Sequence, residues 1–209
     1  MARTAIEPAT APPSRRMTWE EFVEWCDEDT WAEWVDGEVT VFVPAAIPHQ
    51  QIMAFLIFLL RLFAGTHRSG TVLSAPTLMR LPSRPSGREP DLLFVSRDHE
   101  DRIRHAWIEG AADLVIEIAA PESEERDWET KRAEYAAAGV PEYWVLDYGP
   151  RDAAFFQLGA DGQYVRASLD ETGVYHSKVL PGFWLRVEWL WQTPPPDLEA
   201  AEALGLLRR

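Results

Sequence analysis

Three runs of the chain are apolar at nearly every position and short enough to be strands: Asp91-Leu-Leu-Phe-Val95, Asp113-Leu-Val-Ile-Glu-Ile-Ala119 and Glu142-Tyr-Trp-Val-Leu-Asp147. Continuous apolar runs of this length are the mark of strands buried on both faces. A further run, Thr71 to Leu81, reads as a strand ahead of them. Between the second and third, Asp127 to Ala138 carries a helical pattern that stops at Gly139, with Pro141 just beyond. Leu114 to Ala119 and the strand after that helix are then expected to lie parallel. Upstream, Thr18-Trp-Glu-Glu21 is a capping box with Met17 and Phe22 placed as a hydrophobic staple. Trp31 to Val43 reads as a hairpin turning at Asp36-Gly37. Pro48 opens a long helix through about Ala64, ended by Gly65. Ala153 to Trp191 alternates short apolar runs with turns at Asp161-Gly162 and Glu171-Thr-Gly173, the pattern of antiparallel ribbon.

The order helix, three strands, helix, strand predicts an α/β sandwich with a mixed sheet. Residues 17–193 are expected to form one domain, after a disordered leader over residues 1–16 that is rich in Ala, Pro, Thr and Arg. Pro194-Pro-Pro196 is expected to close the core, and residues 194–209 to form a short helical or frayed tail. Within the long helix, Ile52 to Leu60 is uninterruptedly apolar, but a spanning helix needs about twenty such residues. It is expected to be a buried or interface helix, with no membrane as partner. No Gly-x-Gly-x-x-Gly follows a strand and no phosphate-cradling Gly-Lys-Ser/Thr loop occurs, which argues against a dinucleotide site or a P-loop.

Composition narrows the setting. A chain of 209 residues with 46% hydrophobic positions and ten tryptophans can bury a sizeable core. Its one cysteine, Cys26, excludes an internal disulfide and a cysteine-rich zinc site, and fits a cytoplasmic location. The charge balance, 34 acidic against 20 basic residues for a net −14, repels nucleic acid unless basic residues are segregated. The one candidate patch is Arg80-Leu-Pro-Ser-Arg84-Pro-Ser-Gly-Arg88, which reads equally as a solvated connection.

The chemistry centres on Asp91, Glu117 and Lys131. An ionised carboxylate inside a buried strand is costly unless a cation, a proton or hydrogen bonds compensate it. On the pleat, Leu114, Ile116 and Ile118 take one face, and Val115, Glu117 and Ala119 the other. Two carboxylates on neighbouring strands suit Mg²⁺, a hard cation that retains waters. Alternatives stand beside this reading. In one, Asp91 only ends the Pro-rich loop and Glu117 is a protonated or salt-bridged core acid. Asp127, Lys131 and Tyr135 share a helix face at four-residue spacing, so Lys131 also fits an ordinary surface pair with Asp127. His67, His99, His105 and His176 have no ligand spacing. The aromatics, Tyr143 and Trp144 among them, are expected in the core rather than on a base-stacking platform.

Glu89-Pro-Asp91, the run Ala112 to Ser123, Arg126-Asp127, Lys131, Tyr135 and Gly139 to Asp147 resemble the Uma-two family of predicted endonucleases, within the PD-(D/E)XK or restriction-endonuclease-like superfamily. Glu33-Trp-Val-Asp-Gly-Glu38 is similar to the family's acidic hairpin, and Pro48-His49-Gln50 to the histidine opening its first core helix. The resemblance covers roughly residues 17–191. It implies a restriction-endonuclease-like α-β-β-β-α-β core, with the N-terminal helix and hairpin and the C-terminal antiparallel β extension added. It also implies a metal site that uses the aspartate and the glutamate, and a lysine that acts on phosphate charge. That lysine usually stands two residues after the glutamate. Here the position is Ala119, and the resemblance implies that Lys131 on the following helix has taken over; Ala120 replaces a serine of the family.

The implied activity is Mg²⁺-dependent phosphodiester hydrolysis, with DNA as partner and Mn²⁺ able to substitute. Asp91, Glu117 and the Ile118 carbonyl are the expected metal ligands, and Asp91, Glu117, Lys131 and His49 the expected catalytic group. His49 either meets metal-bound water or the phosphate, or completes a helix turn. Glu33 either approaches the metal or is a solvated turn acid. The competing reading, favoured by the −14 charge, is a catalytically weak acidic interaction module on the same fold. The apolar helix and the tryptophans lead to a homodimer as the expected assembly.

Overall fold

The computed structural model describes residues 16–26, 32–41, 46–81, 86–119 and 126–207. The expected leader lies outside them except for Arg16. Helix α1 (Trp19–Trp25) begins with the capping box intact: the Thr18 hydroxyl accepts from Glu21 N, and the Glu21 carboxylate accepts from Thr18 N. Strands β1 (Ala32–Val35) and β2 (Glu38–Val41) form the hairpin, and Asp36 and Gly37 both adopt positive φ, at 50° and 89°. That is what a two-residue turn matching strand twist requires. Trp31 and Val43, the expected ends of the hairpin, are outside the described residues.

Helix α2 runs Ile47–His67 with Pro48 in its first turn. Gly65 does not end it; the left-handed C-cap is Arg68 at φ 51°. A mid-helix glycine costs only about 1 kcal/mol, and Phe63 and Ala64 beside it are buried in the core. By length and apolarity α2 could cross a bilayer, but here Phe55, Leu56, Leu59, Leu60 and Phe63 are packed into the main core.

The run expected as one strand over Thr71–Leu81 splits at Pro76 into β3 (Gly70–Ser74) and β4 (Leu78–Leu81), which enter different sheets. There follow β5 (Ser86–Arg88), β6 (Leu92–Ser96), β7 (Trp107–Glu109) and β8 (Leu114–Ala119). A π-helical turn, Arg126–Lys131, leads into α3 (Arg132–Ala138), which Gly139 caps at φ 81°. Strand β9 (Glu142–Asp147) comes next. The C-terminal part supplies β10 (Asp152–Leu158), β11 (Tyr164–Arg166), β12 (Val174–His176), β13 (Trp184–Arg186) and α4 (Asp197–Ala203).

The main sheet has the order β11-β10-β9-β8-β6-β3, and its one parallel pair is β8 with β9. Its two faces bury different sets. Leu92, Phe94, Leu114, Ile116, Ile118, Trp144 and Leu146 pack with α2. Leu93, Val95, Val115, Ala119, Tyr143 and Val145 pack with Tyr135 of α3 and with Met79, Leu81 and Ile108 of a second sheet, ordered β2-β1-β5-β4-β7. The architecture is therefore the expected mixed α/β core, α2-β3-β6-β8-α3-β9, with the small sheet laid over the α3 side. After the proline run, residues 197–203 are helical. Helix α4 lies against α2 and buries Ala200 and Ala201 completely.

Candidate functional site

Glu117 is the polar interruption of β8, and it stands on the face covered by α3 with only 3% of its surface exposed. The β6–β8 register pairs Leu92 with Ile116; continued by one residue, it sets Asp91 opposite Glu117. Asp91 is fixed there by its Oδ2, which accepts from Ile118 N at 2.7 Å. Its Oδ1 lies 3.0 Å from His49 Nε2, so His49 presents an N–H donor to the carboxylate. His49 occupies the first turn of α2, where the positive end of the helix dipole also favours an anion. The other ring nitrogen, Nδ1, is buried without a hydrogen-bond partner among the described residues.

Lys131 closes the π turn at the head of α3. A π turn holds one residue more than an α turn, which shifts the phase of the side chains on entering the helix. The Lys131 side chain is directed inward, 2% exposed, with Nζ 3.0 Å from Glu117 Oε1. Tyr135, one turn later, donates its hydroxyl to the same Oε1 at 2.8 Å. Burial and the neighbouring Glu117 charge push the Tyr135 phenol well above its ordinary pKa, so it remains a donor. The side chain of Asp127, expected beside Lys131, lies outside the described residues.

Glu33 is not a solvated turn acid. It is 2% exposed, and its Oε1 is 2.9 Å from Lys131 Nζ. The β1–β5 register pairs Trp34 with Gly87, so Glu33 falls opposite Arg88. The Arg88 Nη1 donates to Glu33 Oε2 at 2.7 Å, and its Nε to Glu134 Oε2 at 2.6 Å. Arg88 therefore belongs to the interior and not to a basic surface patch. Burial alone would lower its pKa, but the hydrogen bond to Glu134 and the charge of Glu33 more than offset that and hold it raised. Arg80 is part-exposed and directed at Glu20 and Glu109, 3.9 and 3.7 Å away, while Arg84 is outside the described residues. Gly87 is required between these partners because a Cβ there would run into the Trp19 ring. Glu89, buried alongside, has its pKa pushed up to about 7 by burial and by Glu33, against the hydrogen bond from Ala32 N.

The structure thus brings Asp91, Glu117, Ile118, Lys131 and His49 into one connected group. Sequence reading left Glu33 open and missed Arg88 and Glu134. Asp147 joins the same face: it is 2% exposed, its register partner on β8 is Ala119, and its Oδ1 accepts from Gly149 N at 2.9 Å. Glu33, Glu117 and Glu134 carry three negative charges against the two positive charges of Arg88 and Lys131, and Asp91 adds another negative. The residual is negative, and the donors at Asp91 and Glu117 are hard oxygens. Among the described residues no three His, Cys, Asp or Glu side chains converge as an all-protein cage. Mg²⁺ does not need one, since it takes one or two carboxylates and keeps waters or phosphate oxygens. The donor set therefore fits Mg²⁺ or Mn²⁺ and offers nothing to a metal that needs a thiolate set.

The family model of Uma2, described as "Putative restriction endonuclease", matches residues 19–188. No curated protein matches the chain. Among solved structures, the crystal structure of "a putative nuclease belonging to DUF820" from Anabaena variabilis ATCC 29413 superposes with a TM-score of 0.70. It is 14% identical, and the match covers 84% of this chain and 97% of that one, a likeness of fold.

Proposed function

Because the chain belongs to the Uma2 family, described as "Putative restriction endonuclease", we propose that it is an endonuclease hydrolysing DNA phosphodiester bonds with Mg²⁺ at Asp91 and Glu117. The observation that carries this reading is the contact of Lys131 Nζ with Glu117 Oε1 at 3.0 Å, on the strand position facing Asp91. A lysine from the helix thereby supplies the ammonium that Ala119 lacks.

Asp91, Glu117 and the Ile118 carbonyl would hold the metal, which when bound polarises a phosphate and lowers the pKa of a water. The chain's own groups do the rest. The Lys131 ammonium offsets negative charge that accumulates on the phosphate as water attacks phosphorus, and its burial makes that interaction stronger than in water. His49 donates to Asp91 Oδ1 and fixes the carboxylate's orientation. Tyr135 does the same for Glu117 through Oε1. The Asp91 side chain is 20% exposed, against 4% for that of Glu117; a phosphodiester therefore enters from the Asp91 side.

The test is cleavage of plasmid, linear duplex and single-stranded DNA with Mg²⁺ or Mn²⁺, set beside the Glu117→Gln protein. Metal-dependent cleavage lost in the variant is expected. Equal cleavage by both proteins would remove Glu117 from the chemistry.

A further inference from the structure

Lys131 is held by more than Glu117. Its ammonium bridges Glu33 Oε1 at 2.9 Å and Glu117 Oε1 at 3.0 Å, so carboxylates from both sheets grip it. Glu33 is in turn fixed by the Arg88 guanidinium and by Glu89 N, which donates to its Oε1 at 3.4 Å. Arg88 then reaches Glu134, in the first turn of α3. The circuit Lys131–Glu33–Arg88–Glu134 starts and ends on the same stretch of helix, three residues apart in sequence, and so clamps the head of α3 against β1 and β5. A buried charged ladder is a poor way to gain stability, because apolar residues of similar volume often do as well or better. What it supplies that apolar packing cannot is a defined position for a charged group on a long, flexible side chain.

We propose that Glu33, backed by Arg88 and Glu134, is a positioning residue that holds the Lys131 ammonium toward Glu117. The N-terminal hairpin is then part of the working site and not an appendage to the nuclease core. The effect on turnover rests on the nuclease reading above; the effect on Lys131 itself does not.

The chain has only two lysines, Lys131 and Lys178, and Lys178 is exposed. Protein labelled with ¹⁵N-lysine is expected to show one slowly exchanging ammonium signal, from Lys131. Glu33→Gln should abolish or broaden it. Glu38→Gln should leave it intact, because Glu38 is on the same hairpin but exposed and paired with Arg16. In cleavage assays Glu33→Gln should lower kcat by about 10–100-fold, the usual cost of losing an outer-shell partner, with KM little changed. In a Lys131→Met background Glu33→Gln should lower kcat no further, because the group it positions is gone. If Glu33→Gln does not fold, Glu33→Asp carries the same measurements and should give smaller changes in the same directions. An unchanged ammonium signal in the Glu33 variant, or losses of kcat that multiply in the double variant, would overturn the proposal. If the wild-type protein cleaves no DNA, the nuclease reading fails while the ammonium signal still decides what Glu33 does to Lys131.

Discussion

A glutamine at position 117 keeps the volume of the side chain but withdraws the charge lying between Lys131 and the Tyr135 hydroxyl. From sequence, two crowded acids without a cation would make such a change stabilising. Glu117 instead has Lys131 at 3.0 Å, and breaking a buried pair costs about 3–5 kcal/mol when the remaining charge is left alone. Lys131 retains Glu33, so the lower end of that range applies. Glu117→Gln is expected to lower Tm by several degrees and to abolish Mn²⁺ binding in calorimetric titration; unchanged Mn²⁺ affinity would remove the metal assignment. Lys131→Ala should act differently, lowering turnover far more than Mn²⁺ affinity, because in the proposed mechanism the ammonium acts on charge that develops in the transition state. A lysine at Ala119 in that background should restore part of the turnover. Ala119 shares the Glu117 face and is fully buried beside Asp147 on the adjacent strand, so Ala119→Lys in the otherwise unchanged protein should destabilise it. No recovery in the double variant would tie the lysine's role to the geometry of the helix.

At the level of elements, what could be read in the chain followed from the strength of the local signal. Strands β8 and β9 are apolar nearly throughout, and α1 and the Asp36-Gly37 turn have side chains that dictate their geometry, so each formed where expected. Strand β5 gave no such signal. Ser86-Gly87-Arg88 has no apolar residue, and it is a strand only because β1 and β4 flank it and Trp19 lies over Gly87. The same long-range pairing set Glu33 against Arg88, which is why Asp91, Glu117 and Lys131 could be singled out and the ladder behind Lys131 could not. The break between β3 and β4 was equally hard to see, since apolar residues continue on both sides of Pro76. In the C-terminal ribbon, the turn before β12 is held by Asp170. Its carboxylate accepts from Thr172 Oγ1, Thr172 N and Val174 N, and faces His176 Nε2 at 3.1 Å. The Thr172 hydroxyl, then Val174 N, hold its pKa well below the usual carboxylate range. A depressed folded pKa gives stability that is present above the ordinary value of 3.8 and is lost as pH falls below it. The Tm advantage of wild type over Asp170→Asn should therefore be constant near neutrality and shrink below about pH 4. A difference that persists unchanged into stronger acid would place the effect in the turn geometry and not in the charge.

For the whole molecule, the unresolved tension is between an acidic surface and an apolar helix. Helix α2 buries one side in the core, while Ile47, Gln50, Ala54 and Arg61 are exposed along the other, and Met53, Ile57, Phe58 and Leu62 are only partly covered. Ile47 retains 75% of its surface. Such a face favours self-association through a two-fold contact of α2 with its copy, which would also give a duplex two sites. A net charge of −14 per chain opposes it, and of the two effects only the charge repulsion weakens as salt is raised. Raising ionic strength screens like-charge repulsion between copies while leaving apolar burial intact. Light scattering is therefore expected to report twice the 23.8 kDa chain mass at micromolar concentration, with the dimer fraction rising from low salt to about 0.15 M. Ala54→Glu, which places a carboxylate on the exposed face of α2, should give a monomer at every salt concentration. A wild-type mass of one chain under these conditions, or a dimer that salt dissociates, would rule out association through this helix.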